Sequence, residues 1–393
     1  MNRRVVALVC DVMYPYSVGG RELRYHHLLP RLAERAEVHV YTMHWWKGPP
    51  VYQHDGVTYH AISRLLPLYV DGRRSIRQAL HFGLASLRLL WRHFDVLEAD
   101  HIPYFQVFAL RLVSAIRRKP FVATWHEVWS RSYWREYLGR AGWAAWATEW
   151  IAMRLPDRII AASPETAARL QGALGSRKPI IAVPNGIDLP AIRHVTPDSK
   201  VSDLVVVGRL MAHKRIDMVL DVVALLHTRG SPVNCRIIGD GPERAALEQH
   251  ARDLGISHAI EFRRDVCEQK ELYSLVKAAR IFVSLSAREG FGIAVLEAIA
   301  CGVPVLTTSA PDNLARHLVT RYSRGVVCRP TVNAVAAALE ELLMKEDLSS
   351  QHDYDADCWI SDYDWSAMAE RVASVYFSEA ATSGLARRER NVP

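Results

Sequence analysis

The feature that most limits how this chain can fold is a rhythm that stops once and begins again. Short β-branched runs at 5–10, 37–42, 96–99, 121–124, 158–161 and 180–183 are separated by amphipathic stretches such as 22–34, 76–92 and 164–172. Strands buried on both faces read as such apolar runs, and helices packed on them show a 3.6-residue period. A polar link over 187–202, with Pro190 and Pro197, interrupts the pattern. It resumes with strands expected at 204–207, 235–238, 281–284 and 303–307, and helices at 216–228, 243–254, 293–301 and 333–344. The expected fold is α/β: two doubly wound, Rossmann-like domains, 1–195 and 196–364, facing each other across a cleft. A last helix is expected at 365–379, before a basic tail, 384–393, expected to be disordered.

Charge divides along the same line. Residues 1–196 carry 26 Lys/Arg against 15 Asp/Glu, and residues 197–393 carry 23 against 27. The halves therefore face different partners, or one faces an anionic surface. With 50% hydrophobic and 23% charged residues the chain is not a disordered one. The first apolar run ends after six residues at Asp11, shorter than the roughly seven or more of a secretory h-region. No stretch approaches the roughly 18 apolar residues of a membrane span. The six cysteines are dispersed without a CxxC pair, so neither a disulfide framework nor a zinc knuckle is indicated. A reducing cytoplasm is the expected setting.

Ligands of open α/β sheets bind beyond the carboxyl ends of strands, so the loops after strands hold the expected chemistry. Gly208-Arg209-Leu210-Met211-Ala212-His213-Lys214 opens a helix in the second domain. Cations at a helix amino end oppose its dipole unless an anion sits there. Arg209 and Lys214 are either two solvated cations or a clamp on a diphosphate, Arg as a fork and Lys as a point charge. Gly239-Asp240-Gly241-Pro242 is a turn that permits close backbone approach, a weak signal alone. In Glu289-Gly290-Phe291-Gly292 followed by 293–297, Gly290 and Gly292 leave amides at a helix amino end for a phosphate or sugar oxygen. Glu297 falls within an apolar helix and needs a partner, either a ribose diol or a basic neighbour. In the first domain, Gly19-Gly20 can present amides to an anion, or form an ordinary turn. His126 follows a strand, where a histidine is either structural or turned to the cleft.

Taken together and in order, Gly19-Gly20-x-Glu22, His126, Val183-Pro-Asn-Gly-Ile-Asp188, the 208–214 loop, the 239–242 turn and Glu289-x7-Glu297 resemble the family-four retaining glycosyltransferases of the GT-B fold, from about residue 5 to 380. The resemblance implies that the second domain binds a nucleotide-diphosphate sugar. Arg209 and Lys214 would hold the diphosphate, Glu297 the ribose, and Glu289 with the backbone of Gly290, Phe291 and Gly292 the donor sugar. Gly239 and Gly241 belong to the same donor site, Gly19 and Gly20 lie near the phosphates and acceptor, and His126 lies beside the reaction centre. It further implies that the final helix, 365–380, crosses back to complete the first domain. Glu127 stands where an Asp often follows the His.

As the diphosphate leaves, Arg209 and Lys214 would stabilise its charge, so no metal and no further cofactor are expected. The one rival metal signal, Asp353-x-Asp355-x-Asp357, lies near the chain end and reads as a solvated acidic linker. A nucleotide-sugar epimerase shares the architecture and the donor. A nicotinamide dehydrogenase would need a glycine fingerprint that is absent from the sequence, and a sugar-binding module would not need the clamp. Trp125, Trp129, Tyr133, Trp134, Tyr137, Trp143, Trp146 and Trp150, interleaved with Arg131, Arg135 and Arg140, suit either a lipid-linked acceptor at an anionic membrane surface or a groove for a soluble sugar or aglycone. The expected partners are thus a nucleotide sugar and a glycan, lipid-linked or small-molecule acceptor, with peripheral attachment to the inner membrane face and no nucleic acid.

Overall fold

The computed structural model describes residues 3–17, 19–70, 73–175, 178–266, 268–345 and 357–378. The chain divides into two compact units, Met1–Asn185 with Trp365–Pro393, and Gly186–Asp364.

The first unit is built on an eight-stranded sheet. In chain order its strands are β1 (Val5–Val9), β2 (Glu37–Met43), β3 (Val51–His54), β4 (Val57–Ser63), β5 (Val96–Asp100), β6 (Phe121–Trp125), β7 (Arg158–Ala161) and β8 (Ile180–Ala182). They lie in the order β8-β7-β6-β5-β1-β2-β4-β3, all parallel except the edge strand β3, which runs antiparallel to β4. Residues of β1 alternate between two apolar layers. Val5, Ala7 and Val9 meet Phe82, Val107 and Leu110 on one face; Val6 and Leu8 meet Tyr25, Leu28 and Val372 on the other. Burial on both faces explains the unbroken apolar run, each such side chain contributing about 1.5–3 kcal/mol. The β3–β4 hairpin was not foreseen, although its turn, Asp55-Gly56, has positive φ at both residues (49° and 75°) and is the pairing such two-residue turns favour.

The last helix, Trp365–Phe377, belongs to this first unit. Trp365, Met368, Val372 and Tyr376 share a core with Tyr25, Leu28 and Leu32 of the helix Gly20–Ala33, and the Trp365 indole stacks on His27 at 5.2 Å. Its end beyond residue 378, and the tail at 384–393, lie outside the described residues.

The second unit carries a six-stranded parallel sheet: β9 (Ser202–Val207), β10 (Cys235–Ile238), β11 (Ile260–Arg263), β12 (Ala279–Ser284), β13 (Val305–Thr308) and β14 (Gly325–Cys328), in the order β11-β10-β9-β12-β13-β14. One correction concerns the boundary: the division falls after Asn185, not after Val195. Ile187, Leu189, Ile192 and Val195 are packed into the second unit's core with Tyr273, Phe291 and Trp359, and the Ile187 amide donates to the Tyr363 carbonyl at 2.9 Å. The polar look of 187–202 hid four core positions.

Each sheet reverses its direction of growth once, between β1 and β5 in the first unit and between β9 and β12 in the second. Loops separate at such a switch point and leave room for a ligand.

Candidate active site

At the second unit's switch point, the loop after β9 meets the loop after β12. Lys214 closes a short 3-10 turn, Ala212–Lys214, ahead of the helix Ile216–Thr228. Its Nζ forms an ion pair with the Glu289 carboxylate. Both side chains are about one-quarter exposed or less, so water screens the pair only in part. Backbone bonds fix the two loops: the Ala287 amide donates to the His213 carbonyl (2.8 Å), and the Leu314 amide to the Glu289 carbonyl (2.9 Å). Arg209 is exposed on the first loop. Clamp and sugar residue, expected to serve different parts of a donor, are thus in direct contact.

Gly239 and Gly241 press against that loop from behind. A Cβ on Gly239 (φ +145°) would collide with the carbonyl oxygen of Gly208, and one on Gly241 with that of Leu210. The Leu210 amide donates to the Asp240 carbonyl at 2.9 Å. The two glycines set the position of Arg209 by letting two backbones touch.

Gly292 (φ +92°) precedes the helix Ile293–Ala300, and a Cβ there would lie 2.6 Å from that of Ala315. Gly290 is buried. The Phe291 side chain lies in the core against Tyr363 (5.9 Å between rings), leaving its backbone to the loop. Glu297 is buried, accepts a hydrogen bond from the Tyr273 hydroxyl at 3.1 Å, and is pushed up to about 7 by burial. The partner is neither of the two foreseen from sequence.

This shift has a measurable consequence. A carboxylate that accepts from a diol binds best when ionised, so donor affinity should rise with pH through about 7. Between pH 6 and 8 the ionised fraction, and with it affinity, should grow roughly tenfold. Folding stability should move the other way, being greatest below the ordinary carboxylate range and lost as pH rises through about 7. Glu98 and Glu149, also pushed up to about 7 by burial, titrate alongside. Glu297→Gln should therefore flatten the pH profile of donor affinity; an unchanged slope would remove Glu297 from the donor site.

In the first unit, the ends of β1, β5 and β6 bring Asp11, Asp100, His101 and His126 together. Arg21 lies between the two acids, its Nη1 3.0 Å from Asp100 and 3.8 Å from Asp11. Arg74 (2.6 Å) and Gln78 (3.1 Å) also donate to Asp11. Burial pushes Asp11 up despite these partners. Burial opposes ionisation of Asp100 too, but Arg21 and the hydrogen bond from His101 hold it well below the usual carboxylate range. His126 Nε2 lies 3.8 Å from Asp100 and has no hydrogen-bond partner among the described residues. Burial keeps its imidazole neutral at pH 7. Asp100, His101 and His126 bring three ligand-type atoms within 4.8 Å of one another, but the Arg21 guanidinium opposes a cation there. Gly19 and Gly20 begin the helix Gly20–Ala33, and Glu22 reaches back to accept from Ser17 Oγ at 2.6 Å.

Sequence reasoning found His126 but not Asp100, His101, Arg21 or Asp11. The available signal was polar residues placed directly after two expected strands. Of the acidic triad, Asp353 and Asp355 lie outside the described residues, and Asp357 is buried, accepting from Ser323 Oγ (2.6 Å) and the Trp359 indole (3.2 Å). The aromatic segment is split. Trp125 and Trp134 are core, Trp134 donating to Glu149 at 2.6 Å. Trp143 and Trp150 are exposed, on the helix Gly142–Ala152.

A family model described as "Glycosyltransferase Family 4" matches residues 18–190, and one described as "Glycosyl transferases group 1" matches residues 191–359. The chain belongs to the family-four glycosyltransferases of the GT-B fold. It is 28% identical over 320 residues to GDP-mannose:cellobiosyl-diphosphopolyprenol alpha-mannosyltransferase of Komagataeibacter xylinus, covering 75% of this chain and 78% of that protein. It is 30% identical over 137 residues to GDP-mannose-dependent alpha-(1-6)-phosphatidylinositol dimannoside mannosyltransferase of Mycobacterium tuberculosis, 33% of this chain and 35% of that one. Sucrose-phosphate synthase from Thermosynechococcus elongatus matches in fold, with a TM-score of 0.79 over 97% of this chain and 100% of its own at 17% identity.

Proposed function

We propose that this glycosyltransferase moves a sugar from a nucleotide diphosphate to a lipid-linked or membrane-borne saccharide, with retention of configuration and without a metal. The observation that carries the reading is the half-buried Lys214–Glu289 pair at a switch point, beside the exposed Arg209 and the amino end of the helix Ile293–Ala300. As the bond from the anomeric carbon to the diphosphate breaks, Lys214 and Arg209 take up the charge on the departing oxygen. The acceptor hydroxyl adds to that carbon and gives its proton to the departing phosphate on the same face. Glu289 orients the donor sugar's hydroxyls and Glu297 the ribose. Two relatives whose names carry a diphosphopolyprenol or a phosphatidylinositol support a lipid-linked acceptor. No helix among the described residues is long and apolar enough to cross a membrane.

The test is transfer from a panel of nucleotide sugars, GDP-mannose first, to a polyprenyl-diphosphate saccharide and to free sugars, with the anomeric configuration of the product read by NMR. Inverted product would end the retaining assignment, and interconversion of free nucleotide sugars without transfer would favour an epimerase. EDTA should change the rate by less than about twofold, since two cations and a helix amino end take the place of a metal. Loss of activity that manganese or magnesium restores would overturn that part.

A further inference from the structure

In the first unit, the large apolar side chains left exposed are concentrated on one face of the sheet. The helices Ile76–Ser86, Tyr104–Arg117 and Gly142–Ala152 all pack on the layer formed by Val5, Val9, Leu97 and Ala99. A Cβ on Gly83 would touch the backbone of Phe105 at 3.0 Å, so the first two helices cross closely. On the outer side, Ile76, Leu80 and Leu84 form a stripe at four-residue spacing, continued by Trp91, which is 79% exposed. Leu112 and Ile116 make a second stripe, and Trp143, Trp150 and Ile151 a third. The helices on the opposite sheet face, Gly20–Ala33 and Trp365–Phe377, expose no large apolar side chain among the described residues. Among its described residues the second unit exposes only Val201 and Met344. A soluble monomer rarely leaves so extended an apolar face uncovered.

Charge says what covers it. Residues 76–92, 104–118 and 142–154 hold seven arginines and one acid, Glu149, which is buried. Arg77, Arg88, Arg92, Arg117 and Arg118 are exposed around the stripes, while Arg111 is answered by Asp157 (2.9 Å) and Arg154 stacks on Trp150. Indole and aliphatic side chains ringed by arginines suit the boundary between headgroups and acyl chains, with the guanidinium groups at the phosphates. We propose that this three-helix face docks on an anionic lipid bilayer. The proposal deepens the reading of a membrane-borne acceptor given above; of the 125–150 aromatic segment it keeps only the exposed Trp143 and Trp150, since Trp125 and Trp134 are core, and it adds the two helices Ile76–Ser86 and Tyr104–Arg117.

The experiment is co-sedimentation of the full chain with phosphatidylglycerol/phosphatidylcholine vesicles and with phosphatidylcholine vesicles alone, without donor or acceptor. Binding should favour the anionic vesicles and fall by roughly tenfold as salt screens the arginines. The combined variant Leu84→Glu, Trp91→Glu, Ile116→Glu, all at exposed positions, should lose at least about tenfold in binding. Transfer to a water-soluble acceptor analogue should be unchanged, which separates failure of docking from failure of the proposed reaction. Equal binding of variant and parent would overturn the proposal. So would absence of binding to anionic vesicles, or a parent that is dimeric in solution and a variant that is monomeric, which would give the face to a second copy.

Discussion

Lys214→Ala is expected to lower kcat by about a hundredfold to a thousandfold, the loss typical when one preorganised donor to a developing charge is removed. The argument rests on position. Lys214 stands at the sheet's switch point, held by a 3-10 turn and by the bond between the Ala287 amide and the His213 carbonyl. Its ammonium is already pinned by Glu289, so little rearrangement is needed when a diphosphate arrives, and that preorganisation is what gives the charge its value. Stability should change little, because the pair is partly exposed and such pairs contribute about 0–1 kcal/mol. Steady-state kinetics and a thermal melt on the same preparation test both halves. A folded variant with near-parental kcat would take the leaving-group role away from Lys214. Glu289→Gln gives the complementary result: Lys214 remains, so loss should fall on sugar discrimination more than on diphosphate affinity.

The parts legible in the sequence are those whose physics is local. Strands buried on both faces need unbroken apolar runs, so β1, β7 and β9 can be located from composition. The edge strand β11 cannot, because a half-buried edge tolerates Glu261 and Arg263 and blurs the pattern. The 208–214 and 289–297 loops were legible because a tight turn at a helix amino end demands glycine, and a charge there demands a reason. The contact of Lys214 with Glu289 was not, since it joins residues 75 apart in sequence. The same holds for the Asp100 cluster, in which residues 11, 21, 74, 100 and 126 meet only when three strand ends are placed side by side. The aromatic segment failed for another reason. When several faces of a helical stretch carry indoles, periodicity cannot say which ones are buried. Within the helices the structure put Trp134 inside and left Trp143 and Trp150 outside.

Asp100→Ala is expected to cost about 3–5 kcal/mol of folding stability, the range for removing one partner of a buried ion pair. Asp100 is buried and faces Arg21 at 3.0 Å, and without it that guanidinium keeps the Ile102 carbonyl at 3.2 Å and, as its nearest acid, Asp11 at 3.8 Å, itself shared with Arg74 and Gln78. The pH dependence provides an independent check. A carboxylate held below its ordinary range stabilises the fold above about pH 4 and loses that contribution as pH falls further. The gap between parent and variant in denaturant midpoint should therefore be widest near neutrality and narrow in acid. Asp100→Asn keeps an acceptor for Arg21 and should cost less, yet it removes the negative charge beside His101 and His126. Their imidazoles should then titrate lower still, visible in the NMR shifts of the two rings. A stability loss under about 1 kcal/mol for Asp100→Ala, with histidine titrations unmoved in Asp100→Asn, would mean that the cluster is held by packing alone and that Asp100 does not set the charge state of His126.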